Sequence, residues 1–258
     1  ARPDIDTYHQ DSIQSNDPAP FATMGLDVDT FRVEADGLTK LACVRVKPTQ
    51  DSLHSAGGQA ILLHREGTDR TSVIDVAKTL ADSQIEVILF DQRATGLSTG
   101  KYRSDGQLEA IDLEAVIGHL EIQGWLRHPL TVIGWGAGAD AAMLAAADEP
   151  RINNVIAIEP YLTTERFVSQ TLEANDVMWL PFHETIFWWW YEIRSGYAVR
   201  HREIEGLTPV ACRMVIALPS DQTNTAEITR LTTISPKELL TVKPVGDIDI
   251  VKAVTSGD

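Results

Sequence analysis

The feature that most constrains this chain is a repeated alternation of short, wholly apolar runs with longer amphipathic ones. Ala60 to Leu63, ending at His64, is such a run, and Glu86 to Phe90 is the next. Between them, from about Thr71 to Asp82, Val73, Val76, Ala77, Leu80 and Ala81 recur at helical spacing, with Thr71 or Ser72 placed to cap the first turn. Strands without polar alternation are buried on both faces. A strand–helix–strand succession joins parallel neighbours through a right-handed crossover. The unit recurs: Leu108 to Leu120 carries Leu113, Val116, Ile117 and Leu120 on one helical face, Leu130 to Ile133 reads as a strand, and Ala137 to Ala147 as a helix. Val155–Ile158, Met214–Leu218 and Leu239–Val242 supply further strands. Upstream, Val28–Glu34 and Thr39–Val46 partly alternate across Asp36-Gly37, as an antiparallel hairpin does. The pattern predicts an α/β architecture: an eight-stranded, mostly parallel sheet with helices on both faces.

At 258 residues and 43% apolar, the chain can bury one sizeable core and needs no second domain. Residues 1–22 are polar, contain three prolines and lack periodicity, so they read as an extended leader that adds nothing to the core. Residues 23–258 form the expected domain. Its 37 acidic residues against 22 basic ones give a formal charge of −15, which excludes nucleic acid as a partner. No window approaches eighteen consecutive apolar residues, so a soluble chain with no transmembrane segment is expected. Ala1 stands where a methionine would begin a chain, as after loss of a signal peptide or anchor, or after trimming; the compartment stays open. Cys43 and Cys212 lie in apolar runs and read as free, buried thiols.

The stretch Val132-Ile133-Gly134-Trp135-Gly136-Ala137-Gly138-Ala139-Asp140 takes an apolar strand through a glycine-rich turn into an alanine-rich helix. It resembles the nucleophile elbow of the α/β-hydrolases, G-x-S-x-G. Two more stretches carry the likeness to hydrolases of the serine aminopeptidase or ABHD kind. Leu62-Leu63-His64-Arg65-Glu66-Gly67 stands in place of the family's strand and His-Gly loop, which helps form the oxyanion hole, and Phe90 to Gly100 is close to its D-x-R-G-x-G-x-S turn. The resemblance spans about residues 27–254 and implies the α/β-hydrolase fold.

It also implies that the catalytic triad is degenerate. The nucleophile position is Gly136, which has no side chain, although glycine adopts the strained elbow backbone at little cost. Asp221 falls where the family's acid belongs. The histidine position after the eighth strand offers Asp247, and no histidine follows His201. The elbow is similar to that of the N-myc downstream-regulated proteins, which are pseudohydrolases. The expectation is a protein that binds a small molecule or a protein partner through the former active-site pocket, with no cofactor and no metal; its oligomeric state is left open. Two alternatives stand beside it: a lyase, isomerase or cyclase that uses Asp221 and Asp247, and an esterase- or peptidase-like hydrolase with another nucleophile.

The candidate pocket residues are His64, Arg65, Trp135, Gly136, Ala137, Glu159, Tyr161, Trp188 and Trp189. His64 is either a base or a structural ring of its loop. Arg65 either covers the old oxyanion hole or points outward. Trp135 is placed to lean over the vacated nucleophile site, and Asp247, Asp249, Glu159 and Asp221 could assemble an oxygen-rich cation site. Trp179 to Tyr191 holds four of the six tryptophans, so a cap-like segment at about 162–208 is expected, with at least one indole facing a pocket, a partner or an interface.

Overall fold

The computed structural model describes residues 18–49, 58–174, 211–219 and 239–255, with Thr185 and Trp189 besides, the side chains of Glu165 and Ala174 excepted. The strands β1 (Val28–Glu34), β2 (Lys40–Val46), β3 (Gln59–Leu63), β4 (Glu86–Phe90), β5 (Leu130–Trp135), β6 (Asn154–Ile158), β7 (Arg213–Leu218) and β8 (Leu240–Pro244) make one eight-stranded sheet. Their order is β1-β2-β4-β3-β5-β6-β7-β8. β2 runs antiparallel to both β1 and β4, and all other neighbours are parallel. This is the predicted α/β-hydrolase arrangement. Every residue of β3 and β4 is buried, which is why neither run shows polar alternation.

Six helices belong to the described residues: α1 (Ala19–Thr23), α2 (Ile74–Asp82), α3 (Gln107–Ile122), α4 (Ala137–Asp148), α5 (Thr164–Ala174) and α6 (Ile250–Thr255). α3 and α4 cover one face of the sheet, packing Leu113, Val116, Ile117 and Met143 onto Ile61, Ile88 and Val132. α2 and α6 cover the other, with Leu80 and Val254 against Leu62, Leu89 and Ile133. Each fully buried Leu or Ile contributes about 1.5–3 kcal/mol of apolar transfer. The two layers hold β3, β4 and β5 rigidly between them, so the loops at their carboxyl ends start from fixed points.

Two local expectations need correction. The polar leader ends earlier than residue 22: α1 occupies its last residues, and Phe21 is fully buried beside Val44 and Leu62, because one large aromatic outweighs a polar, proline-rich context. The cap before α2 is Asp69 rather than Thr71 or Ser72. Its carboxylate accepts the Thr71 N–H at 2.8 Å and starts a 3₁₀ turn, Arg70–Val73, that leads into the helix. α5 and α6 carried no expectation as helices; α6 begins where Asp249 accepts the Lys252 N–H at 3.0 Å. Cys43 and Cys212 are free, buried thiols, and burial pushes the pKa of both up, that of Cys212 to about 11.

Candidate functional site: a glycine elbow occupied by Glu66

β5 turns into α4 at Gly136, whose φ of 55° and ψ of −125° are the strained backbone of an elbow. The turn is possible because Gly134 and Gly138 leave room for each other: a Cβ on Gly134 would stand 2.2 Å from the Gly138 carbonyl oxygen. The Gly136 N–H is tied to the Ile158 carbonyl at 3.0 Å, which locks the elbow against β6. Residue 136 therefore sits at the sharp bend between β5 and α4 and brings no side chain to it.

The adjoining space is filled by Glu66, from the loop after β3. A Cβ at residue 136 would meet Glu66 Oε2 at 2.4 Å and the Arg65 Cγ at 3.3 Å. Oε2 accepts the Ala137 N–H at 2.9 Å, the first backbone donor of α4 after the bend. The other oxygen, Oε1, accepts a short hydrogen bond from the Tyr161 hydroxyl. Burial and the Glu66 carboxylate both push the Tyr161 hydroxyl above its ordinary ionisation, so it is a donor at neutral pH. Arg65 sends its guanidinium sideways to Glu159, and both are about one-third exposed.

Tyr161 is aimed by a buried carboxylate. Asp140, in the first turn of α4, accepts the Tyr161 and Leu162 N–H groups, both at 3.0 Å. Burial pushes its pKa well above that of an ordinary aspartate. Glu159 and Leu162 flank Tyr161 with φ of 50° and 69°, a conformation rare for residues with a Cβ, and the two Asp140 bonds hold the loop in it. The Tyr161 ring meets Phe167 of α5 edge-on at 5.2 Å. Neither Glu66 nor Asp140 was singled out from the sequence. A lone acid in the alanine-rich run of α4 was the available signal for Asp140; Glu66 carried none.

His64 is structural. Its Nε2 accepts the Gln92 N–H at 3.1 Å, so the ring proton sits on Nδ1 and is donated to the Arg65 carbonyl at 2.8 Å. Burial lowers its basicity, and it stays neutral. The turn after β4 is built around Asp91, which accepts the Arg70 and Leu97 N–H groups and the buried Arg70 guanidinium at 2.7 Å. Arg93 in the same turn grips Asp112 of α3. The D-x-R motif thus works as a clamp between loops.

The remaining candidates are not brought together. Arg65 covers the elbow with its methylene stem, while Trp135 packs into the layer beneath α2 and α6, so the vacated volume is held by Glu66 instead. Asp247 is exposed, in a 3₁₀ turn after β8, and Asp221 lies outside the described residues. The oxygen-rich cation site does not assemble: Glu159 is paired with Arg65, Asp249 is exposed and caps α6, and no group of three metal-ligating side chains occurs among the described residues. Trp189 is exposed; Trp188 and most of the 162–208 segment lie outside the described residues. Among those residues no helix is long and apolar enough to cross a membrane. His119 stacks on Phe31 at the α3 surface and His128 is exposed, so neither serves the elbow.

Solved structures share this architecture. The esterase Pf2001 of Pyrococcus furiosus is similar at a TM-score of 0.66 and 17% identity, over 92% of this chain and 88% of its own. GrgF, an α/β hydrolase from Penicillium, is similar at 0.59 and 14%, over 86% and 92%. XC6422 of Xanthomonas campestris, an α/β serine hydrolase without a lid, is similar at 0.54 and 18%, over 84% and 83%. No protein-family model and no curated protein matches the chain in sequence. At these identities the likeness shows the fold, which is that of the α/β-hydrolases.

Proposed function

We propose that this chain is a pseudohydrolase: an α/β-hydrolase-fold protein that uses the former active-site pocket to bind a ligand and does not turn it over. The observation that supports this most is the Glu66 carboxylate, seated against side-chain-less Gly136 and hydrogen-bonded to the Ala137 N–H. Acyl transfer needs that N–H free to receive the developing oxyanion, and a nucleophile beside it. Here the donor is engaged by a negative charge and the nucleophile position is empty. In triad enzymes stripped of nucleophile and base, binding and the oxyanion hole together leave only about 10³–10⁴-fold over water. With the hole engaged, even that remainder is lost.

The competing reading is an esterase-like hydrolase with its nucleophile elsewhere, in keeping with the Pyrococcus fold neighbour, an esterase. Purified protein assayed against p-nitrophenyl esters of graded chain length and against aminoacyl nitroanilides separates the two. We expect no turnover above a heat-denatured control. Turnover that disappears on substitution of a single Ser, Thr or Cys would overturn the proposal.

A further inference from the structure

We propose that Glu66 is an intramolecular ligand, an autoinhibitory carboxylate, and that the ligand whose place it holds is a small ionised carboxylic acid. The inference rests on reading the pocket as a binding site. The two oxygens of Glu66 are received separately, Oε2 by the Ala137 N–H at 2.9 Å and Oε1 by the Tyr161 hydroxyl. Two donors spaced to take the two oxygens of one planar group recognise a carboxylate, and they discriminate against an alcohol or an ammonium. The donors come from different segments, and each is anchored without help from Glu66. Ala137 is the first residue of a twelve-residue helix that is almost wholly buried. Tyr161 is held by Asp140 through its own N–H and by the Phe167 ring. The cradle therefore persists when Glu66 leaves it.

Glu66 is less constrained than its cradle. It is half-buried and sits in the turn closed by the Thr68 N–H to the Arg65 carbonyl at 3.3 Å, next to exposed Gly67. Rotation about its own side-chain bonds is enough to withdraw the carboxylate. Its departure opens a volume that the missing side chain of Gly136 extends, lined on one side by the Arg65 stem. An external carboxylate competes with a tethered one, so its apparent affinity is reduced by the effective concentration of Glu66, commonly in the millimolar range.

The test is chemical rescue. Glu66→Ala is followed by thermal unfolding in sodium acetate and sodium butyrate, with acetamide and sodium chloride at matched ionic strength as controls. The expected result is a saturable rise in melting temperature with acetate or butyrate but not with the controls. Wild type should need an order of magnitude more carboxylate for the same response, from the effective-concentration argument. Adding Tyr161→Phe should weaken the rescue several-fold. A folded Glu66→Ala protein that responds equally to acetate and acetamide, or binds acetate no better than wild type, overturns the proposal. If Glu66→Ala does not fold, the Ala137 amide resonance of the wild-type protein decides: a saturable shift on acetate titration supports exchange, and an unmoved resonance overturns it. Ester turnover by wild type would defeat the pseudohydrolase reading and leave these outcomes standing, so the two failures are distinguishable.

Discussion

Restoring a serine at position 136 is the perturbation that most fully exposes the energetics of the elbow. The backbone there, with φ of 55°, costs a residue bearing a Cβ about 1–3 kcal/mol, a cost glycine avoids. A second cost comes from Glu66, whose Oε2 would lie 2.4 Å from the new Cβ and must move. Moving it forfeits the bonds from the Ala137 N–H and the Tyr161 hydroxyl. Hydrogen bonds to a charged group are worth about 1.5–3 kcal/mol each, but Glu66 is half-buried and water replaces part of them, so about 1–2 kcal/mol in total is a fair figure. Gly136→Ser should therefore destabilise by about 2–5 kcal/mol. In a Glu66→Ala background the clash with Oε2 is absent and serine should cost only the backbone strain, about 1–3 kcal/mol. Urea denaturation of wild type, both single variants and the double variant gives the coupling directly. The expected value is about 1–2 kcal/mol, well beyond the 0.3–0.5 kcal/mol scatter of independent sites. Additive single-variant effects would refute the packing of Glu66 on residue 136, and a neutral Gly136→Ser would refute the elbow itself.

Two further predictions concern buried ionisable groups. Glu109 accepts from the Ser104 N–H and hydroxyl and from the Gly106 N–H at the start of α3, and burial raises its ionisation to about 7. The folded state thus holds a proton that the unfolded state releases near the ordinary glutamate value of 4.5, so stability falls as pH rises between these values, by about 2–3 kcal/mol. Glu109→Gln should lose that slope in denaturation midpoints measured from pH 4.5 to 8; an unchanged slope contradicts the assignment. His64 has the opposite sense, because burial lowers its basicity in the folded state, and its contribution is lost as pH falls below the ordinary histidine value of 6.5. His64→Ala should cost about 2–4 kcal/mol at pH 7.5, by orphaning the Gln92 N–H and opening a cavity, and should flatten the acid limb of the stability curve. A variant as stable as wild type would show that the ring is not the clamp described here.

The sheet was legible because its evidence is local and repetitive. Five consecutive buried residues in β3 and β4 leave a run without alternation, and Leu113, Val116, Ile117 and Leu120 face the core at the spacing a helix imposes. The glycine at the elbow was legible for the same reason, since its meaning depends on immediate neighbours. Glu66 was not. Its two partners lie 71 and 95 residues further along the chain, and a carboxylate between a loop arginine and a glycine reads as a solvated side chain. Phe21 was hidden in a similar way, its burial depending on Val44 and Leu62, far off in sequence. Tyr161 was placed in the pocket by its position after β6, but the Asp140 bonds that aim its hydroxyl are tertiary. Gly136 could be read from its neighbours in sequence; the carboxylate beside it could be read only from the fold.

The claim that position 136 and its surroundings present no nucleophile is tested most directly by intact-mass spectrometry after incubation with a fluorophosphonate probe. The account predicts an unmodified mass for the wild-type protein under conditions that fully label a serine hydrolase. A stoichiometric phosphonate adduct, mapped to any serine of the folded chain, would contradict it.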